Sequence, residues 1–335
     1  MRIAIDAVGG DHGPGVVIPG AVAGARRYGA GLLLAGPEGT IRRALAGIDT
    51  AGVDIVVEDA PDTIGMDEGA VQAVRRKPNA DINVALRAVR DGRAQAMVSA
   101  GHSGAVMAAA LMTLGRAPGV DRPAIASPLP SARGQTLVLD LGAVADPKPH
   151  HLVQFALMGS VFAQRVMGIA RPTVGLLSNG EEASKGNALV LETHALLART
   201  PGIDFHGNVE GRDIPRGVVD VVVTDGFTGN VALKVAEGVA SFVADVVREE
   251  ITTTIPRKLA AALLRPAFSS VKQRLDYSAT GGAQLLGVDG VVVIAHGRSN
   301  ETAIANAVGV ARRGAAGDVA GAIGRLLAEA EAQPA

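Results

Sequence analysis

The stretch VDVVVTDGFTGNVALK, residues 219–234, carries one complete unit of the architecture. Its β-branched run, 219–224, is apolar apart from Asp220 and Thr224, and reads as a strand covered by helices on two sides. The run breaks at DGFTGN, residues 225–230, and helical spacing over 231–250 begins directly after. The same unit of strand, polar glycine turn and helix recurs along the chain. Strands are predicted over 2–6, 31–35, 53–58, 95–99, 136–140, 173–177, 219–224 and 291–295. Helices are predicted over 81–91, 103–114, 150–167 and 231–250. This alternation predicts an α/β fold with a doubly wound, mainly parallel sheet. One large domain over 1–335, or two intimately packed lobes, accommodates it; no linker and no repeat of roughly 20–50 residues divides the chain.

Of the 335 residues, 48% are hydrophobic and 2% aromatic, with a net charge of −1. Charge near zero and so few stacking side chains weigh against a nucleic-acid partner. The absence of cysteine excludes a thiol nucleophile, disulfides and thiolate metal sites. MRIAIDAVGGDHG at the N-terminus lacks a basic segment followed by an apolar one, so no signal peptide is read. No apolar run approaches the ~20 residues of a membrane span. The expectation is a cytoplasmic protein that touches membrane only at its surface.

Six predicted strands run into polar, glycine-rich loops. They are AVGGDHGPG (7–15), AGHSG (100–104), LGAVADPKPH (141–150), NGEEASKGN (179–187), DGFTGN (225–230) and HGRS (296–299). Loops after the strands of a parallel sheet line one edge, where ligands bind, and glycine amides and helix N-termini favour anions. The six are therefore predicted to converge on one edge as an anion-handling site. The residues assigned to substrate are Asp6, Gly9, Gly10, Asp11, His12, Gly101, His102, Ser103, Gly104, Asp140, Asp225, Gly226, Thr228, Gly229 and His296. A Walker A sequence is absent, and no GxGxxG follows the first strand, which removes the usual nucleotide fingerprints. No tight cluster of His and carboxylate ligands stands out, so neither metal nor cofactor is predicted.

Lysine is scarce, and Lys148, Lys185 and Lys234 lie in or just beyond these loops. Lys185 stands beside a predicted helix start, where a mobile point charge suits phosphate or a developing oxyanion. The alternative is an ion pair with Glu181 or Glu182. Lys234 falls one turn inside a helix and reads as a surface residue. Thr228 or Asn230 either caps the helix that follows or, for Asn230, donates its amide to a carbonyl or phosphate oxygen. Asp140 and Asp225 end apolar strands, a position where a carboxylate needs a partner. His12, His102 and His296 are the candidates for a proton donor.

Taken in order, IDAVGGDHGP, AGHSGAVMAAA, RPAIASPLP, KPHHLVQFALMG, VGLLSNGEEASKGN, FHGNVEGRDI, DVVVTDGFTGNVALK and GGAQLLGVDGVVVIAHG resemble the blocks of PlsX-type phosphate acyltransferases. The resemblance runs from Met1 to about Arg312. It implies an isopropylmalate-dehydrogenase-like fold and a homodimer associated peripherally with membrane. It also implies transfer of an acyl group from acyl carrier protein to inorganic phosphate for phospholipid synthesis, with Lys185 and Asn230 as the catalytic pair. Departures from the family pattern are Val8, His102 and Ser103 in place of Asn-Thr, Val144 and Ala145, Thr280, and Gln284. The rival readings are an acyl-CoA phosphotransacetylase, a nicotinamide-dependent decarboxylating dehydrogenase and a non-catalytic membrane scaffold.

Between residues 251 and 275 no acid occurs, while Arg257, Lys258, Arg265, Lys272 and Arg274 all do. Pro256 and Pro266 each suit a first helical turn, so a helical hairpin insertion is predicted over 251–276. Leu264, Phe268 and Val271 together with these cations fit an anionic membrane surface or the acidic carrier protein; packing within a dimer is the alternative.

Overall fold

A computed structural model of the chain describes residues 1–264, 266, 268 and 281–332. Among them, eleven strands form one sheet. These are β1 (Arg2–Asp6), β2 (Gly31–Gly36), β3 (Ile55–Asp59), β4 (Ala96–Ser99), β5 (Ala124–Ser131), β6 (Gly134–Leu139), β7 (Thr173–Leu177), β8 (Asp204–Val209), β9 (Val221–Val223), β10 (Ala283–Leu286) and β11 (Val292–Ile294). Their spatial order is β3-β2-β1-β4-β11-β10-β5-β6-β9-β7-β8.

Alternation along each strand fixes the layers. Ile3 and Ile5 of β1 pack with Ile18 and Val22 of the helix Pro14–Tyr28, while Ala4 faces the helices Asp81–Arg90 and Ser103–Thr113 on the other side. Apolar residues on both faces of a strand are what a sheet covered on two sides demands. The mainly parallel, doubly wound expectation holds.

The directions within the sheet carry a correction. Strands β3, β2, β1, β4 and β11 are mutually parallel, as are β6, β9, β7 and β8. Between these blocks, β10 is antiparallel to both β11 and β5, and β5 is antiparallel to β6. Three reversals leave the second block pointing against the first. Loops after β1, β4 and β11 therefore leave one edge, and loops after β6, β7 and β9 leave the opposite edge. The six polar loops do not share a single edge.

A second correction concerns helix starts. The helix predicted from residue 231 begins at Gly226 and runs to Thr252, because the Asp225 carboxylate caps it, accepting from the Thr228 amide at 2.7 Å. Thr228 and Asn230 thus lie in its first turns and are not its caps. The helix predicted over 150–167 is Pro149–Phe162 followed by a π turn, Ala163–Met167.

In the second block, one sheet face packs Leu152, Phe155, Met158 and Phe162 from the helix Pro149–Phe162. Val138, Val209 and Val222 on the other face meet Leu233 of the long helix. Past that contact the long helix leaves the sheet, and Val235, Val239, Phe242, Val243, Val246 and Val247 are exposed along it. It hands on to the helix Ile255–Leu263, the first arm of the predicted hairpin, where Thr254 Oγ1 accepts from the Arg257 amide and Pro256 sits in the first turn. Arg257 ion-pairs with Glu250 at 3.1 Å, so its charge is partly compensated. Arg265, Val271, Lys272, Arg274 and Thr280 lie outside the described residues, and most of the predicted second arm falls there with them.

Candidate active site

At the first sheet edge a single carboxylate ties two loops together. Asp6, 1% exposed at the end of β1, accepts from the Gly9 amide at 2.9 Å and from Ser99 Oγ at 2.6 Å. Ser99 Oγ accepts in turn from the Gly101 amide at 3.0 Å. The Asp11 amide donates to the Gly297 carbonyl at 2.8 Å, which joins the loop after β11. Glycine is obligatory at position 9, since a Cβ there would collide with Asp6 Oδ2. Asp6, predicted to bind substrate, here fastens the two loops to each other. His102 Nδ1 accepts from the Ala105 amide at 3.3 Å, capping the helix Ser103–Thr113, and His296 Nδ1 accepts from the Arg298 amide at 3.2 Å. Gly10 packs on Ala100 and Gly297, and Gly104 lies beside the His102 ring, while Asp11, His12 and Ser103 are exposed.

The opposite edge repeats the device. Asp140 ends the β6 run buried, accepting from the amides of Ile125 at 2.9 Å, Gly142 at 3.1 Å, Ala143 at 3.0 Å and Val144 at 2.7 Å. Burial pushes this carboxyl up, and the four amides oppose that rise. Its lone pairs are taken by backbone, so Asp140 is likewise a loop organiser, and Asp225 is a helix cap. Gly226 and Gly229 back onto Asp140 with no room for a Cβ. Asn230, exposed in the second turn of the long helix, donates one amide hydrogen to the Leu141 carbonyl at 3.2 Å.

Lys185 is exposed, and among the described residues its ammonium has no hydrogen-bond or ion-pair partner. Glu181 pairs instead with Arg212 at 3.2 Å, so the ion-pair alternative does not form. The loop bearing Lys185 is pinned from below: the Lys185 amide and Asn208 Nδ2 both donate to the Glu182 carbonyl, at 2.9 and 2.8 Å. Asn208 Oδ1 meets His194 Nδ1 at 2.9 Å. Asn208 and His194 went unnoticed in the sequence because neither sits in a glycine-rich loop. Of the other loop lysines, Lys148 occupies the N-cap position of the helix Pro149–Phe162, and Lys234 pairs with Glu237 at 2.9 Å.

Between the loops of this second edge opens a cavity of about 460 Å³. Its lining combines polar residues, Ser178, Asn179, Asn187, Asp225 and Thr228, with apolar ones, Leu152, Leu176, Leu177, Leu189 and Val190. Ser178 Oγ is buried beside it without a hydrogen-bond partner. Lys185 directly precedes the lining residue Gly186, and Asn230 falls between the lining residues Thr228 and Ala232. Two groups among the described residues each gather three potential metal ligands: Asp121 with His150 and His151, and, in the Lys185 loop and around the lining residue Gly211, Glu181 with Glu210 and Asp213. His151 Nδ1 accepts from the Lys148 amide, which places its ring proton on Nε2 and makes it a helix cap. Arg212 already bridges Glu181 and Glu210.

A family model described as fatty acid synthesis protein matches residues 1–321. The phosphate acyltransferase of Geobacter sulfurreducens is 50% identical over 92% of this chain and 89% of its own length. That of Elusimicrobium minutum is 51% identical over 93% and 92%. Among solved structures, a phosphotransacetylase from Streptococcus pyogenes superposes with a TM-score of 0.63 at 17% identity, covering 94% of each chain. A 4-hydroxythreonine-4-phosphate dehydrogenase from Klebsiella pneumoniae gives 0.53 at 15% identity, covering 94% of this chain and 98% of that one. At such identities the solved structures speak for the fold alone.

Behind the first edge lies Asp81, 3% exposed, whose carboxylate accepts from the Ile82 amide at 2.7 Å. Burial, and then the nearby charge of Asp6, push its pKa up to about 8. Between the ordinary carboxylate range and about pH 8 the folded chain therefore keeps a proton that the unfolded chain has released. Stability falls as pH rises through that window. Asp81→Asn, which mimics the protonated form, is expected to flatten this slope, measured by urea denaturation at about pH 5 and about pH 8. Equal slopes in the two proteins would show that Asp81 is ionised in the fold at neutral pH.

Proposed function

The chain belongs to the phosphate acyltransferase family, and from that premise we propose that it transfers the acyl group of an acyl-carrier-protein thioester to inorganic phosphate. The products are acyl phosphate, a precursor for phosphatidic acid, and the free carrier-protein thiol. One observation carries the reading: Lys185, a cation with no partner among the described residues, directly precedes Gly186 in the lining of a cavity that combines polar and apolar residues.

A phosphate oxygen attacks the thioester carbonyl carbon, a C–O bond forms, and negative charge gathers on the carbonyl oxygen. Collapse of this intermediate breaks the C–S bond, and sulfur leaves as thiolate. Phosphate is already ionised near neutral pH, and a thiol with pKa near ~8.5 leaves without strong acid help. The reaction thus needs charge stabilisation, and no enzyme nucleophile, metal or nucleotide. The Lys185 ammonium reduces repulsion between the incoming phosphate and the growing oxyanion. Asn230, its orientation fixed through Leu141, offers its second amide hydrogen to the same oxygen. Glycine-loop amides hold phosphate.

Lys185→Ala and Asn230→Ala are each expected to lower turnover at least tenfold, ~1.4 kcal/mol in the barrier, with unchanged circular dichroism. Thiol release from acyl carrier protein and phosphate measures this, with acyl-CoA as a competing thioester and chelator-treated protein in parallel. Near-normal rates in both folded variants would remove these residues from the chemistry. A clear preference for acyl-CoA would overturn the carrier-protein assignment, and chelator inhibition reversed by a divalent ion would overturn the metal-free one.

We further infer a cytoplasmic homodimer that rests on an anionic membrane surface through the tip of the hairpin. Supporting this, Leu263 is 84% exposed next to the exposed Leu264, and Lys258 has no partner among the described residues. No helix of the described residues is long and apolar enough to cross a membrane. Binding to anionic vesicles is expected to exceed binding to zwitterionic ones and to weaken with salt. It should also fall on Leu263→Asp, with turnover in free solution retained. Equal sedimentation with both vesicle types, or with neither, would assign the tip to protein packing.

A further inference from the structure

We propose that the chain carries a second ligand site, remote from Lys185, which takes an anion borne on an aliphatic chain. The site is a cavity of about 600 Å³ at the turn between β5 and β6, larger than the cavity beside Lys185. Nothing in the chemistry proposed above uses it.

Its place in the fold separates it from that chemistry. Gln135 and Thr136 of β6 line it, as do Val219 and Asp220 just before β9. The far ends of these two strands lead to Asp140 and Asp225. Along β9 the cavity therefore lies roughly 16 Å from the cap of the long helix, at about 3.3 Å per residue. Val310 and Arg313 of the helix Glu301–Ala316 complete the lining. Val310 belongs to the core of the first strand block and Phe162 to that of the second, so the cavity lies on the seam between them.

Charge and surface define what fits. Arg133, in the β5–β6 turn, and Arg313 have no hydrogen-bond or ion-pair partner among the described residues. Arg313 suits the last turn of its helix, where a cation meets the helix dipole. Arg133 has no such role. Against these two cations the lining holds one acid, Asp220, and its Oδ2 already accepts from the Thr173 amide and Oγ1, each at 2.8 Å. The same lining includes the half-buried aliphatic side chains Val166, Met167 and Ile169. Its one aromatic residue, Phe162, is 1% exposed and offers no face on which a base could stack. A phosphate or carboxylate on an aliphatic chain matches this set, and the volume falls within the ~300–1,000 Å³ of small-molecule sites.

Two further observations point to a ligand. Val166 and Met167 belong to the π turn Ala163–Met167, a rare backbone form that recurs at functional sites. Ser131 Oγ is buried with no hydrogen-bond partner among the described residues, and it lies close to the lining residue Gly217. Buried hydroxyls rarely go unpaired.

The chain has no tryptophan, so Gln135→Trp, at an exposed lining position, reports by fluorescence on this cavity alone. Dodecyl phosphate and dodecanoate are the probes, with dodecanol and inorganic phosphate as controls lacking the charge or the chain. At least one of the two anions is expected to shift the emission, and each control to bind at least tenfold more weakly. A response to both anions would show that the head is read by charge; a response to one would name the head. Arg133→Ala combined with Arg313→Ala is expected to weaken anion binding at least tenfold, with turnover of acyl carrier protein unchanged. Calorimetry on the chain without the reporter gives a second measurement, in which this double variant should bind one equivalent of dodecyl phosphate fewer than its parent. A double variant that binds as many equivalents as tightly would overturn the site, whatever the reporter shows. So would a control that binds as tightly as dodecyl phosphate. A folded double variant without turnover would move the arginines into the reaction and likewise overturn a separate site.

Discussion

Two strands in the middle of the sheet, β10 and β5, run against their neighbours, and this reversal governs where every polar loop emerges. In an unbroken parallel sheet, each strand would deliver its following loop to one rim, and one chain would own one site. Here the hydrogen-bond ladder changes sense three times between β11 and β6, so the chain has two rims of equal standing. The long helix, the cavity and Lys185 belong to one rim; the GGDHG and AGHSG loops belong to the other.

Both rims are stabilised in the same way. A carboxylate at the end of a buried strand accepts hydrogen bonds from the amides of the loop that follows, Asp6 at one rim and Asp140 at the other. A buried carboxylate without donors is costly, so each loop is held in the shape that satisfies it. Glycines at 9 and 229 are the corollary, because backbone must come closer to the acid, or to the chain carrying it, than a side chain permits. These acids shape the loops through the backbone amides they bind.

Much of this was legible from residue order. The β-branched runs announced β1, β4, β7 and β9, and the polar loops after them were correctly placed as loops at strand ends. What escaped was β5, whose Pro128 and Pro130 argue against a strand. Both prolines lie where β5 has outrun β10, whose pairing stops at Ala126, and only β6 remains alongside. Also missed was β10, four residues whose apolar pattern is too short to distinguish from a turn of helix. Because these are the antiparallel strands, overlooking them produced the expectation of a single rim. The role of Asp225 was ambiguous for a related reason: a capping acid and a ligand acid look alike until the amide of Thr228 is seen to be its partner.

The long helix has one more effect, through its length. From Asn230 to Thr252 it spans about 33 Å at 1.5 Å per residue. The field of a charged surface decays over ~8 Å at physiological ionic strength. The rod therefore works as an electrical stand-off: charge gathered at its far end leaves the potential at Asn230 unchanged. The two ends of the rod can then change charge independently, neither disturbing the electrostatics of the other.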